Sequence, residues 1–190
     1  MNKYILIGAP HCGKSTLGQR AGERLQMPFY DTDILAKDKM GEVRFFDTFR
    51  ASFGVRVRES EREVVSELDE LDTPAIIATG AEVALIPQCI VMLQNMGAII
   101  HIKRNTEDIL EELKNSDDSG FALIEVRTGK VIDFREEAVK AYSEELAKYE
   151  AVADFTIDNN SGEDEGVEKL INLIQVIDKA HELAQQNPDN

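Results

Sequence analysis

A lysine and a hydroxyl residue near the start of the chain have the spacing of a site for nucleotide phosphates. Residues 8–15 follow the pattern G-x-x-x-x-G-K-[ST], in which Lys14 reaches the outer phosphates and the Ser15 hydroxyl binds Mg²⁺. Backbone N–H groups of such a loop surround a phosphate, together with the positive end of the next helix. The alternative is a glycine-rich turn that binds nothing, but such a turn does not require Lys and Ser at these offsets.

The segments on either side of this loop favour a working site. The apolar run Tyr4–Ile7 predicts a buried strand, and the residues that follow the loop can open a helix. Strand, loop and helix in this order are the context that the pattern requires. We therefore expect ATP and Mg²⁺ to bind here. The expected binding residues are Gly8, Ala9, Pro10, His11, Cys12, Gly13, Lys14, Ser15 and Thr16.

Two carboxylates follow the second predicted strand, Pro28–Tyr30. Asp31 and Asp33 are separated by one residue, and ligands of open α/β sheets bind beyond the carboxyl ends of the strands. One carboxylate near Ser15 can complete the Mg²⁺ environment, and the other can take a proton from an attacking hydroxyl. The pair alone is equally compatible with Asp33 capping the N-terminus of a helix.

Length and charge limit the class of protein. The 190 residues suggest one domain, with 43% hydrophobic and 30% charged residues. The net charge of −15 disfavours nucleic acid and anionic membranes as partners. We expect no leader, no membrane span, a cytoplasmic location and a monomer or weak homodimer. The two cysteines, Cys12 and Cys89, are expected in the loop and in a helix, without a disulfide framework.

Short apolar runs alternate with amphipathic stretches, which predicts an α/β fold with a central parallel sheet of about five strands flanked by helices. A single domain is expected over residues 1–184, followed by a polar tail at 185–190. Helical periodicity predicts helices at Val57–Leu71 and Glu165–Leu183. The predicted strands are Tyr4–Ile7, Pro28–Tyr30, Ala75–Ala78, Ala98–Ile102 and Phe155–Ile157.

One stretch departs from this alternation. Residues 121–126 and 131–134 flank Arg127-Thr128-Gly129-Lys130, a pattern that indicates a β-hairpin. In a nucleotide kinase, a lid lies in this part of the chain, here at about residues 115–135. We expect it to close over the phosphates through Arg127 or Lys130, with Arg127 as a candidate catalytic cation.

The chain resembles the shikimate kinases, a family of small P-loop kinases. The loop G-x-x-x-x-G-K-S-T, the D-T-D after the second strand and the segment 57–65 fall where the family carries them. The resemblance implies that Lys14 and Ser15 serve ATP and Mg²⁺ and that Asp31 supports the Mg²⁺. It also implies a single P-loop kinase domain that phosphorylates a small hydroxylated acid.

The resemblance further implies an acceptor site. Asp33 contacts the shikimate hydroxyls and is the candidate base, while Arg58 grips the substrate carboxylate and Glu61 orients that arginine. Gly80 belongs to a glycine segment whose backbone approaches the substrate closely. A bidentate guanidinium suits a carboxylate. Without these neighbours, Arg58 and Glu61 are equally an exposed i,i+3 ion pair on a helix.

Several family residues differ in the second half of the chain. Glu82 stands in the segment where the family has consecutive glycines, and Glu145 stands where it has a second arginine. Three interpretations remain: a shikimate kinase whose lost cations are replaced, an ATP-binding relative with a rebuilt or abandoned acceptor half, and a kinase for a neutral or cationic acceptor. We expect shikimate turnover to be low or absent. The cations that can replace the lost ones are Arg56, Arg127, Lys130 and Lys148.

Overall fold

The computed structural model describes residues 3–40, 51–80, 83, 86–115 and 144–186. Its strands are β1 (Lys3–Ile7), β2 (Phe29–Asp31), β3 (Ala75–Ala78), β4 (Gly97–Lys103) and β5 (Phe155–Asp158). Its helices are α1 (Lys14–Leu25), α2 (Thr32–Met40), α3 (Ala51–Asp69), α4 (Pro87–Met96), α5 (Thr106–Asn115), α6 (residues 144–152) and α7 (Glu163–Gln186). The five strands form one parallel sheet in the order β2-β3-β1-β4-β5. The predicted fold class is confirmed.

The sheet is buried on both faces because helices connect its parallel strands. Residues Lys3–Ile7 of β1 are all buried, which explains why this strand reads as a continuous apolar run rather than an alternating one. Ile5 and Ile7 pack into one core with α3 and α4, while Tyr4 and Leu6 pack into the other with α1 and α7. The two cores hold the strands in fixed register, so the loops at their ends are firmly placed.

The register brings the candidate site residues to one edge. Asp31 pairs with Ala78, Leu6 pairs with the same Ala78, and Ile7 pairs with His101. The phosphate loop after β1, the aspartates after β2 and the segment after β3 therefore start from the same level of the sheet. This is the edge at which open α/β sheets bind ligands.

The predicted strands agree with the observed ones to within one residue at each end, and the two observed helices are longer than the predicted ones. The helix predicted at Val57–Leu71 begins at Ala51, and α7 runs to Gln186, so the first two residues of the predicted polar tail are helical. Ala, Glu and Gln are good helix formers, which explains this extension without an apolar stripe. The predicted lid at 121–134, with Arg127, and Glu82 lie outside the described residues.

Cys12 and Cys89 are both buried and free, and Cys89 lies in α4 as expected. Among the described residues, no helix combines the length and the apolar character that crossing a membrane requires.

Candidate functional site

The phosphate loop has a backbone that only glycine fits at two positions. Gly8 has φ 142°, and a Cβ placed on it would lie 2.6 Å from the carbonyl oxygen of Ile102. Gly13 has φ 102°, and its Cβ would lie 2.5 Å from Nδ2 of Asn159. Positive φ of this size is strained for other residues. The two glycines of the pattern are therefore required by geometry, and α1 begins directly after the second one.

Lys14 lies inside the loop rather than in solvent. Its Nζ donates to the carbonyl oxygens of Gly8 and Ala9, both at 2.8 Å, and only 8% of the residue is exposed. A buried ammonium needs such partners because its desolvation is otherwise costly. Phosphate oxygens carry more negative charge than these carbonyls and are better partners for it. The loop thus holds a cation ready for an anionic ligand.

Ser15 and Asp31 meet at the start of α1 and the end of β2. The Ser15 hydroxyl donates to Oδ2 of Asp31 at 2.6 Å, and Asp31 is 9% exposed. Mg²⁺ prefers oxygen ligands, and in phosphoryl-transfer sites it is held by one or two protein groups together with substrate phosphates. A hydroxyl and a carboxylate in contact beside a phosphate loop therefore fit Mg²⁺ well.

Asp31 also settles which aspartate caps α2. Its Oδ1 accepts hydrogen bonds from the backbone N–H groups of Asp33 at 3.0 Å and Ile34 at 3.3 Å. This is the contact of a helix N-cap side chain. The alternative that Asp33 serves as the cap is wrong, because α2 begins at Thr32 and Asp33 lies within its first turn. Asp33 is exposed at this edge of the sheet.

A cavity of about 270 Å³ lies on the other side of the phosphate loop, towards β4 and β5. Its lining includes His11 and Thr16 of the loop region, and also Arg104, Asp108 and Asn159. Arg104 donates to the carbonyl oxygen of His11 at 3.0 Å, and Asn159 donates to that of Cys12 at 2.9 Å. The cavity adjoins the phosphate loop, so it is the candidate place for the nucleoside part of a bound ATP.

Arg104 and Asn159 hold the phosphate loop but were not among the predicted site residues. Arg104 directly follows β4 and Asn159 directly follows β5, and each lies two residues beyond the end of a predicted strand. The rule that ligands bind beyond the carboxyl ends of strands applies to these two positions as it does to Asp31. A search of every strand end for polar side chains therefore finds them.

Three of the predicted acceptor-site residues come together beyond β2 and β3. A Cβ placed on Gly80 would lie 2.3 Å from Oδ1 of Asp33 and 3.2 Å from Oε1 of Glu61. Glu61 is only 5% exposed, so the alternative of an exposed ion pair on α3 does not describe it. Arg58 lies three residues earlier on the same helix. Two carboxylates therefore converge over a backbone that has no space for a side chain.

Glu145, the residue found where the family carries a second arginine, lies on α6 and is half-buried. Tyr149 follows one turn later on the same helix and is fully buried. Its ring centre lies 5.6 Å from that of His101 on β4. Lys103 and Glu150 form a further contact between β4 and α6 at 2.8 Å. These contacts fix α6, and with it the backbone of Glu145, against the strand beside the phosphate loop.

His101 is a buried titratable residue directly behind the phosphate loop. Its Cδ2 lies 3.4 Å from the position of a Cβ on Gly8, and it is 1% exposed. Burial, assisted by the charges of Lys103 and Lys14, lowers the pKa of His101 from 6.5 to about 4. The imidazole is therefore neutral at physiological pH, which avoids a second buried cation beside Lys14.

Comparison with known proteins identifies relatives of this chain. The family model described as shikimate kinase matches residues 10–175. A shikimate kinase of Clostridium botulinum (strain Eklund 17B / Type B) is 31% identical over 172 residues, which are 90% of this chain and 97% of the relative. A shikimate kinase of Paracidovorax citrulli is 34% identical over 114 residues, which are 58% of this chain and 60% of the relative.

Solved structures agree at the level of the fold. Shikimate kinase from Acinetobacter baumannii, in complex with shikimate, superposes with a TM-score of 0.75 at 22% identity, covering 95% of this chain and 94% of that chain. A gluconokinase from Sinorhizobium meliloti 1021 gives a TM-score of 0.60 at 14% identity, covering 96% and 97%. The family model spans most of the chain, from residue 10 to residue 175. This chain belongs to the shikimate kinase family and is a P-loop small-molecule kinase.

Proposed function

We propose that this protein transfers the γ-phosphoryl group of ATP to a hydroxyl of shikimate. The observation that carries the proposal is the convergence of Asp33 and Glu61 over Gly80, where an added Cβ would lie 2.3 Å from Oδ1 of Asp33. We call the groups around Gly80 the acceptor side. It lies at the same edge of the sheet as the contact between Ser15 and Asp31. A hydroxylated acid between the two sides would place its hydroxyl near both a base and the phosphate loop.

Each residue has a role that its chemistry supports. Lys14 neutralises the transferring phosphoryl group, and Ser15 and Asp31 hold Mg²⁺. The Mg²⁺ ion, when bound, neutralises developing charge on the phosphate oxygens. Asp33 accepts the proton of the attacking hydroxyl. Catalysis in this class is mainly positioning and charge stabilisation, so a small set of fixed groups suffices.

Recognition of the shikimate carboxylate depends on Arg58, with Glu61 orienting it. A guanidinium forms two parallel hydrogen bonds to a carboxylate, which fixes the acceptor as well as attracting it. In support of this assignment, the exposed fraction of Glu61 is 5%. A buried carboxylate requires a charged or hydrogen-bonding partner.

Glu82 and Glu145 weaken the acceptor side in this proposal. Loss of one charge-assisted hydrogen bond to a carboxylate costs about 1.5–3 kcal/mol. At about 1.4 kcal/mol per factor of ten, acceptor affinity falls by roughly one to two orders of magnitude. Shikimate is an anion, so nearby glutamates repel it as well. We therefore expect slow shikimate turnover with a raised KM.

The proposal has two accompanying parts, a cytoplasmic location and a monomer or weak homodimer. The first is checked by cell fractionation followed by detection of the protein in each fraction. The second is checked by light scattering on the purified protein at several concentrations. The tests of ATP affinity and of acceptor turnover do not depend on either part.

Product identification tests the proposed reaction. The purified protein, MgATP and one candidate acceptor at a time are followed by ³¹P NMR, with shikimate, gluconate-like acids and polyols as the panel. A new phosphomonoester signal that requires shikimate supports the proposal. A phosphomonoester formed only with another acceptor shows that the acceptor half has been rebuilt, and none with any acceptor shows that kinase activity is lost. Asp33→Asn should abolish the signal, while Asp38→Asn, an exposed position on the same helix, should not.

A further inference from the structure

Thr32 lies between the two candidate carboxylates Asp31 and Asp33. It is fully buried, with 0% exposure, although it is a polar residue at the edge of the sheet. Its Oγ1 accepts a hydrogen bond from the backbone N–H of Gly80 at 2.8 Å. This bond connects the end of β2 to the segment after β3. The proposed reaction assigns no role to Thr32.

The segment after β3 is held on its other side by Thr79. The backbone N–H and the hydroxyl of Thr79 both donate to the carbonyl oxygen of Leu6, at 3.0 Å and 3.1 Å. Leu6 lies two residues before Gly8, the first residue of the phosphate loop. Two contacts therefore fix the backbone around Gly80. One joins Thr79 to Leu6 of β1, and the other joins Gly80 to Thr32.

The position of Gly80 determines the space available to Asp33. The Cβ position of Gly80 is 2.3 Å from Oδ1 of Asp33, so the glycine backbone lies directly against this carboxylate. A shift of the Gly80 backbone therefore changes the space in which this carboxylate sits. Misplacement of reacting groups by about 1 Å can cost about 10²-fold in rate.

We propose that Thr32 is a positioning residue for Asp33. Its hydroxyl holds the backbone of Gly80 against the Asp33 carboxylate, and so sets the proposed base relative to the acceptor hydroxyl and the phosphate loop. The inference rests on the proposed function, because it takes Asp33 as the base. It extends that function by giving the middle residue of D-T-D a task that neither neighbouring aspartate performs.

Two substitutions at this position separate the hydroxyl from the shape of the side chain. Thr32→Val keeps the volume but removes the acceptor, which leaves the buried N–H of Gly80 without a partner. Thr32→Ser keeps the hydroxyl. We expect Thr32→Val to lower kcat by about 10–100-fold, with the KM for ATP changed by less than about twofold. Thr32→Ser should retain most of the kcat of the unmodified protein.

Thr79→Val is the matched control, since it makes the same chemical change in a neighbouring buried threonine. The backbone N–H of Thr79 still donates to Leu6 after the change, so we expect a smaller loss of kcat than in Thr32→Val. Equal losses in both variants, or a parallel rise of the KM for ATP, would show that Thr32 only contributes to packing. Full activity of Thr32→Val would overturn the proposal outright.

Amide hydrogen exchange of Gly80 keeps the test independent of the acceptor. Thr32→Val should accelerate this exchange more than that of the amides in β1, which report the loss of global stability caused by the unpaired N–H, and Thr32→Ser should not. If the unmodified protein does not phosphorylate shikimate, the proposed function is wrong. Hydrogen exchange alone then tests the role of Thr32. Faster exchange limited to residues 79 and 80 then supports the positioning contact, and unchanged exchange contradicts it.

Discussion

The carboxyl edge of the sheet has a nucleotide side, at the phosphate loop, and an acceptor side, around Gly80. The two sides differ in how many of the groups expected for binding the structure brings together. The nucleotide side has a buried lysine within its loop, a Ser15–Asp31 contact and two glycines at positive φ. The acceptor side has two carboxylates over Gly80, and the resemblance predicts that Glu145 replaces a cation of this side. Phosphate recognition resides mostly in the backbone of one short segment. Acceptor recognition depends on side chains from several segments, so it can change while the fold stays the same.

Removing the loop cation should have the largest effect. Lys14 is the buried ammonium at the phosphate site, so Lys14→Ala should lower turnover by about 10²–10³-fold, as expected for loss of a group that stabilises transition-state charge. Binding of MgATP, measured by calorimetry, should weaken sharply. The exposed Lys179 on α7 provides the control, since Lys179→Ala removes the same charge far from the loop. Unchanged affinity and turnover in Lys14→Ala would contradict the assignment of the nucleotide side.

A pair of glycine substitutions should separate the two sides. Gly8→Ala places a methyl group 2.6 Å from the Ile102 carbonyl oxygen, and Gly80→Ala places one 2.3 Å from the Asp33 carboxylate. We expect Gly8→Ala to weaken MgATP binding, and Gly80→Ala to displace the Asp33 carboxylate, which lowers kcat and raises the KM for the acceptor by about tenfold or more while sparing ATP binding. Nucleotide calorimetry and acceptor kinetics on both variants check this. Loss of ATP binding in Gly80→Ala would show that the two sides are not separable.

Placing an arginine on α6 should strengthen the binding of shikimate at the acceptor side. Glu145→Arg, alone or with Glu82→Gly, should lower the KM for shikimate by about tenfold for one regained charge-assisted hydrogen bond. Glu144→Arg makes the same charge change at the neighbouring exposed position and should have little effect. An equal gain from Glu144→Arg would mean that overall charge, rather than a specific clamp, limits acceptor binding.

The smallest predicted effect concerns His101, which lies between Gly8 of the phosphate loop and Tyr149 of α6. Its folded-state pKa is lowered to about 4, below the value of 6.5 of the unfolded chain. The unfolded state therefore binds the proton more readily, and stability is lost as the pH falls from about 6.5 to about 4. His101→Phe should make the free energy of unfolding less dependent on pH in this window, measured by urea denaturation. His181→Phe is the control, because His181 is exposed and the change should leave the pH dependence of the free energy of unfolding as it was. An unchanged pH dependence in His101→Phe would contradict the burial of a neutral imidazole.

The sequence predicted the fold and the nucleotide side because both depend on local patterns. A strand, a glycine loop and a helix are adjacent in the chain, and Ser15 meets Asp31 because parallel strands share one edge. Arg104 and Asn159 were missed because they follow strands that carry no recognised motif. Likewise, Asp31 rather than Asp33 caps α2, since the strand includes Asp31 and the helix starts one residue later.

The acceptor side was harder to predict because its contacts join distant segments. The resemblance placed Asp33, Glu61 and Gly80 in one site, and the structure brings these three together. The burial of Glu61 could not be read from the helix pattern, which is compatible with an exposed position. The hydrogen bond from Gly80 to Thr32 spans 48 residues and has no signature in the sequence.

Steady-state kinetics of the unmodified protein, with ATP and shikimate varied independently, test the difference between the two sides most directly. We predict a KM for ATP within the usual range of about 1 μM to 1 mM, and a KM for shikimate above about 1 mM. This result would show that binding is weak at the acceptor side alone. A micromolar KM for shikimate with efficient turnover would contradict it, and would show that Glu82 and Glu145 do not impair the acceptor site.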